Sequence, residues 1–330
     1  MQNGNHMPDS QRASDGGLAV TPENGSASSL ATLRRVLEAH RAWLEGRPEG
    51  VRANLERAAL AEAVLEKVIL ARADLRSANF FDAHLSGADL SDASLEMADF
   101  SNAIMFDADL SHSRLDGAKF EKALLAGAKF NEAHLRGASL RGANMREAHL
   151  IEVHMENCDC EGAALQDARM LQAKIFDCKL AGANLERANL YHSVFRSCKL
   201  ANITASGSNW STATLQNCDV RRAELISARF DRANLSQSSF WSASAVNANF
   251  QYARLNGADF EAADLSGARF HNAVTMSANF RGANLRGAQG FTPTQLGQAR
   301  TDRHTILPNG SHGPFMLGSG AHSHGTPNRD

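Results

Sequence analysis

The chain has 330 residues, with 34 Lys and Arg against 36 Asp and Glu, and 43% of it is hydrophobic. So even a balance excludes the concentrated basic character on which direct nucleic-acid binding draws. No uninterrupted apolar run of about 18 residues is present and the start is polar, so neither a membrane span nor a secretory signal is expected, and the cytoplasm is the expected compartment.

Taken in chain order, residues 1–28 are small and polar and are expected to be disordered. Residues 29–46 read as a helix that plugs whatever follows. Ser29 is placed to cap it, Leu30, Leu33, Leu37, Trp43 and Leu44 approximate one face, and Gly46 can end it.

From residue 51 to 289 the chain repeats. Every fifth residue from Leu55 to Leu285 makes 47 positions, of which 25 are Leu, 11 Phe and 4 Met, and the phase never slips. Two residues before each stands Ala in 36 of the 47 cases, otherwise Val, Ser, Cys or one Ile. Runs such as Ala88 to Asp92 and Ala183 to Arg187 show the unit: a small residue, Asp or Asn, Leu or Phe, then two mostly polar residues.

A period of five matches neither 3.6 nor 2, so no long helix or flat strand keeps Leu and Ala on one side. The chain must turn at every unit. If each unit is one side of a square, four units close a coil of 20 residues, and about 12 coils stacked at strand spacing make a rod roughly 56 Å long. Leu or Phe fills a narrow interior, which explains the small residue beside it.

These A(D/N)LXX runs resemble the pentapeptide-repeat family over residues 51–289. The resemblance implies an all-β solenoid, a right-handed quadrilateral β-helix, here with short capping helices at both ends. Residues 290–308 form the expected C-terminal cap: Thr292 and Pro293 start a helix, and Phe291 and Leu296 cover the last coil. Residues 309–330, rich in Gly, Ser, Asn and His, are expected to be a disordered tail.

The motif Asn157-Cys158-Asp159-Cys160-Glu161 invites a metal or redox reading. Its phase argues otherwise, because Cys158 holds a small inward position and Cys160 a large one. Cys158, Cys178, Cys198 and Cys218 are spaced by one coil and are expected to stack as an internal ladder of free thiols. A filled rod offers no catalytic pocket, and no phosphate loop, zinc-protease helix or nucleophile elbow is present; no enzyme activity, metal or cofactor is expected. His304, His312, His322 and His324 are read as part of a polar tail.

Function is therefore expected on the surface. Between 74 and 121 ten acidic residues stand against three basic ones, whereas 129–232 holds 14 basic and 12 acidic. Asp89 stacks near Asp109 and Glu96 near Asp116. Ile151, Leu171 and Tyr191 fall in one outward column, an exposed apolar stripe with His134, His154 and Lys174 across a nearby corner. The expected function is a protein-interaction scaffold for an unidentified protein partner or a second copy. The resemblance implies an alternative, a DNA mimic that occupies and protects a type II topoisomerase, for which a net charge of only −2 is weak support. A secreted effector is the third reading.

Overall fold

The computed structural model describes residues 27–323. The repeat region is an all-β solenoid. The residue between the two inward positions bridges in parallel to the residue twenty further on: Asn54 to Asp74, Ala59 to Asn79, Val64 to His84 and Ile69 to Asp89. Four units thus complete each coil, and the pattern continues to the bridge between Arg269 and Gln289. The four walls are called A to D, beginning with those that carry Asn54, Ala59, Val64 and Ile69.

Hydrophobic burial selects this winding. Leu55, Leu75, Phe80 and Phe100 are fully buried, as are the small residues Ala58, Ala73 and Ala78. Stacked rings report the spacing of the coils: Phe80 to Phe100 is 4.8 Å between centroids and Phe100 to Phe120 is 5.0 Å, close to the separation of adjacent strands. Trp210, fully buried, donates its ring N–H to Ser208 Oγ at 2.7 Å, so its polar end is not stranded.

Two local devices turn the chain. In most units the amide after the corner bonds the inward carbonyl three residues back, as from Ala58 to Leu55 at 3.0 Å. The last residue of the unit then takes a positive φ, 57° at Arg57 and 66° at Gly87, which marks a type II turn. Secondly, the Asp or Asn before the inward residue accepts the amide two residues on. Asp99 Oδ1 accepts from Ser101 N–H and Asp264 Oδ1 from Ser266 N–H, both at 3.0 Å. The repeat favours Asp and Asn because their short side chains cap the corner amide.

Helix α1 spans Ala27–Leu44. The helix thus begins before Ser29, where the sequence placed its start. Its ending follows a Schellman pattern: Gly46 has φ 70°, Gly46 N–H bonds Trp43 O, and Arg47 N–H bonds Ala42 O. The buried face is centred on Leu33, Val36 and His40, with Leu37 packed only partly against the core. The expected face is thus rotated, because His40 is drawn to the open polar edge of the first coil. Its Nδ1 accepts from Ala53 N–H at 3.1 Å, and its Nε2 faces Ala71 O at 3.0 Å.

At the far end α2, Pro293–Gln298, carries a capping box between Thr292 and Gln295. Phe291 stacks on Phe270 at 4.4 Å, and Gln295 Nε2 donates to the carbonyls of Phe270 and Ala273.

The expected disordered tail needs correction. Thr305–Ile306 pairs antiparallel with His312–Gly313. Ala321 is buried, and Phe315 packs against the core while its N–H bonds Thr301 Oγ1 at 2.9 Å. The backbone edge of the last coil is met by Gln298, Arg300, Ile306 and Pro308, and residues 309–323 fold back onto that cap, with Leu307 N–H on Ser311 O and Asn309 N–H on Ala321 O. The expectation for 1–26 and 324–330 lies outside the described residues.

Candidate interaction surface

Wall A is irregular midway along the rod. There it widens from single bridges into five parallel strands: β1 His134–Arg136, β2 His154–Glu156, β3 Lys174–Phe176, β4 Val194–Arg196 and β5 Thr214–Gln216. The central residue of each points inward and the outer two point out.

The cysteine ladder stands at the corner that ends these strands. In the coils on either side this corner is closed, with Ala118 N–H on Leu115 O at 3.0 Å and Ser238 N–H on Leu235 O at 3.2 Å. In the five coils between, a thiol or hydroxyl from the next coil stands beside the corner in place of that bond. Cys158 N–H donates to Cys178 Sγ at 3.3 Å, and the thiols of Cys158 and Cys198 donate to Leu135 O and Ile175 O. Ser238 Oγ performs both tasks, accepting from Cys218 N–H at 3.0 Å and donating to Leu215 O at 2.9 Å. The corner is open wherever the residue above is Cys158, Cys178, Cys198, Cys218 or Ser238, and closed below Ala138 and Ala258. A polar atom in that column bonds the amide, as Cys178 does, the carbonyl, as Cys158 does, or both, as Ser238 does, groups that an alanine would leave to bond each other.

All five cysteines are free and buried. Hydrogen bonding within the ladder and burial push the thiols of Cys178 and Cys218 up, and burial pushes Cys160 up, whereas the bond from Cys218 holds Cys198 down; all of them face the packed interior. Among the described residues no group of three or more His, Cys, Asp or Glu side chains is arranged to hold a metal ion.

The widened wall presents a connected set of side chains. His134 and His154 stack at 5.7 Å, His154 meets the edge of Phe176 at 5.8 Å, and the Arg196 guanidinium lies 5.6 Å over the Phe176 ring. Beside them is a cleft of about 330 Å³ lined by Arg114, Asp116, His134, Leu135, Arg136, His154 and Glu156. Sequence reading placed His134, His154 and Lys174 in one column but missed this surface, whose signal was the polar run in the small inward column.

Ile151, Leu171 and Tyr191 do stack, on the edge of wall D next to wall A. Glu152 N–H bonds Leu171 O, and Gln172 N–H bonds Tyr191 O, so successive coils hold them in register. Tyr191 is exposed, whereas Ile151 and Leu171 are half-buried. On the far side of the stripe stand Lys129, His149 and Arg169, bridged in one column. Burial, then Arg169 and Lys129, lower the His149 pKa.

The acidic candidates have local partners. Asp89 and Asp109 each accept a corner amide at 3.0 Å, from Ser91 and Ser111. Lys129 donates to Asp109 at 3.2 Å, Arg114 pairs with Glu96 at 2.7 Å, and Asp116 accepts Arg136 N–H at 3.0 Å. Burial opposes the charge of Asp109, but the bonds from Ser111 and Lys129 prevail and hold its carboxyl below the usual range.

Comparison with known proteins agrees with the repeat geometry. The family described as pentapeptide repeats (8 copies) matches residues 51–87, 83–121, 103–142, 118–157, 211–242 and 246–287, and a pentapeptide repeat region matches 148–225. No curated protein matches the sequence. Among solved structures, HetL of the cyanobacterium Nostoc sp., a pentapeptide repeat protein involved in heterocyst differentiation regulation, is 23% identical over 83% of this chain and 97% of its own, with a TM-score of 0.32. QnrB1, a plasmid-mediated fluoroquinolone resistance protein, is 21% identical over 54% and 86%, with a TM-score of 0.21. A pentapeptide repeat protein of the Arabidopsis thaliana thylakoid lumen is 30% identical over 31% and 59%, with a TM-score of 0.15. With its repeat region matched along most of its length, this chain belongs to the pentapeptide-repeat family.

Proposed function

We propose that this protein is a non-enzymatic scaffold that binds another protein along the side of its rod. The observation that carries the reading is the contrast between a filled interior and one irregular wall. Leu135, Ile175, Phe195 and Leu215 occupy the inside of the widened strands, while the outside presents histidines, cations and an aromatic ring next to the Ile151, Leu171 and Tyr191 stripe. Function on a solenoid resides in such surfaces. The five free thiols fit a reducing, cytoplasmic setting.

Replacing Leu171 and Tyr191 together by Ser tests the scaffold. Association in pull-down and sedimentation should be lost while the melting transition is retained, and unchanged profiles would overturn the reading. Topoisomerase-directed DNA mimicry is the weaker alternative, since Lys129, Arg114 and Lys119 pair with the acidic side chains of the early coils. Inhibition of gyrase supercoiling at stoichiometric protein would favour it over the scaffold.

A further inference from the structure

We propose that the outer face of β1–β4 receives an acidic, extended segment of a partner protein, lying along the rod over His134, His154 and Lys174, with its carboxylates held by Arg136, Lys174 and Arg196 and an apolar side chain against Phe176. This rests on the scaffold reading and names the chemistry of the partner.

Charge complementarity selects the occupant. Residues 162–200 contain six basic side chains, Arg169, Lys174, Lys179, Arg187, Arg196 and Lys199, against the acidic Asp167, Asp177 and Glu186. Of these cations, Arg187 is paired with Asp167 at 2.7 Å. Among the described residues, Lys174 and Arg196 have no carboxylate within ion-pairing distance; Arg196 rests on Phe176 instead. Arg136 is held only loosely by Glu156, at 3.9 Å. Earlier on the same wall Arg76 is engaged by Asp74 and Glu56 and Arg114 by Glu96, whereas among the described residues Lys174 and Arg196, like Arg254 further on and Arg169, Lys179 and Lys199 on the flanking walls, carry no ion pair.

The cleft sharpens the choice between anions. Asp116 and Glu156 line it together with Arg114 and Arg136. A nucleic-acid backbone, charged at every step, would be driven against these two carboxylates. A peptide can set its acidic residues opposite the cations and neutral ones opposite Asp116 and Glu156. The open corners contribute by extending the wall: each strand displays a second outward residue, so Arg136, Phe176 and Arg196 lie in the same sheet as His134, His154 and Lys174.

The test uses the full chain and a fluorescein-labelled, Glu-rich peptide containing Leu, followed by fluorescence anisotropy. The wild-type protein should bind it, and a Lys-rich peptide of equal length should not bind. Joint Lys174→Glu and Arg196→Glu substitution should weaken binding by about tenfold or more. Arg254→Glu, further along the same wall, should leave it unchanged, and melting curves verify that each variant folds. Failure to bind the Glu-rich peptide, or equal weakening by Arg254→Glu, overturns the inference. Tighter binding of a single-stranded oligonucleotide overturns it in favour of a general polyanion site. Self-association abolished by the same charge reversals overturns it in favour of a second copy. A partner that the rod captures but the Glu-rich peptide does not displace overturns this inference alone and leaves the scaffold standing.

Discussion

The backbone N–H of Cys158 donates to the Sγ of Cys178 in the next coil, at 3.3 Å. That bond stands where a closed corner would have bonded Cys158 N–H to Met155 O. A residue that looks like filler thus determines the width of an outer wall.

Cys178→Ser should keep the corner open, because a hydroxyl accepts the same amide, as Ser238 does for Cys218. Cys178→Ala should let it close, pairing Cys158 N–H with Met155 O at a net cost of about 1 kcal/mol for the exchange of bonds. Structure determination of both variants checks this; an alanine variant whose corner stayed open would disprove it.

Asp109 combines charge with corner capping, and the two can be separated. Asp109→Asn should retain the bond from Ser111 N–H and stay within roughly 0.5 kcal/mol of the parent, whereas Asp109→Ala should lose about 1 kcal/mol. Urea denaturation of the pair measures the difference. Binding studies of the acidic coils are therefore better made with Asn than with Lys at Asp89 and Asp109.

Ala262 is exposed and has φ 57°. A glycine normally weakens a regular element, but in this left-handed conformation Cβ is the liability. Ala262→Gly should raise stability by roughly 1 kcal/mol, read as a higher denaturation midpoint. Gly267→Val should do the reverse, since φ is 69° and a Cβ there would also press on the Asn247 side chain.

His40 gives the rod a dependence on pH. Burial, its largest influence, lowers the pKa, so the folded protein holds the ring neutral where the unfolded chain binds a proton. Stability is fully present above the unfolded value of about 6.5 and declines as pH falls from there toward the lower folded value. His149 acts with the same sign. His40→Gln should reduce the slope of melting temperature against pH in that window, and an unchanged slope would assign the dependence elsewhere.

The sequence by itself determined that the chain turns at every fifth residue, because no helix or flat strand keeps a large residue and its small neighbour on one side at that period; the four-sided coil was what the family resemblance implied. The sequence also determined that Cys158 and Cys160 face inward, since phase alone fixes side. The positive φ that closes each unit was not read from the sequence: Gly87, Gly117 and Gly127 mark it, but 35 non-glycine residues among those described adopt it as well. Only the tertiary structure decided which corner opens. A serine or cysteine in the small position can bond the unit before it in its own coil, as Ser113 bonds Leu110 O, or the corner of the preceding coil, as Ser238 bonds Leu215 O. That choice depends on which wall meets which, as do the seat of His40 and the folding back of residues 309–323. All three satisfy backbone groups brought together from distant parts of the chain, and local pattern does not encode such meetings.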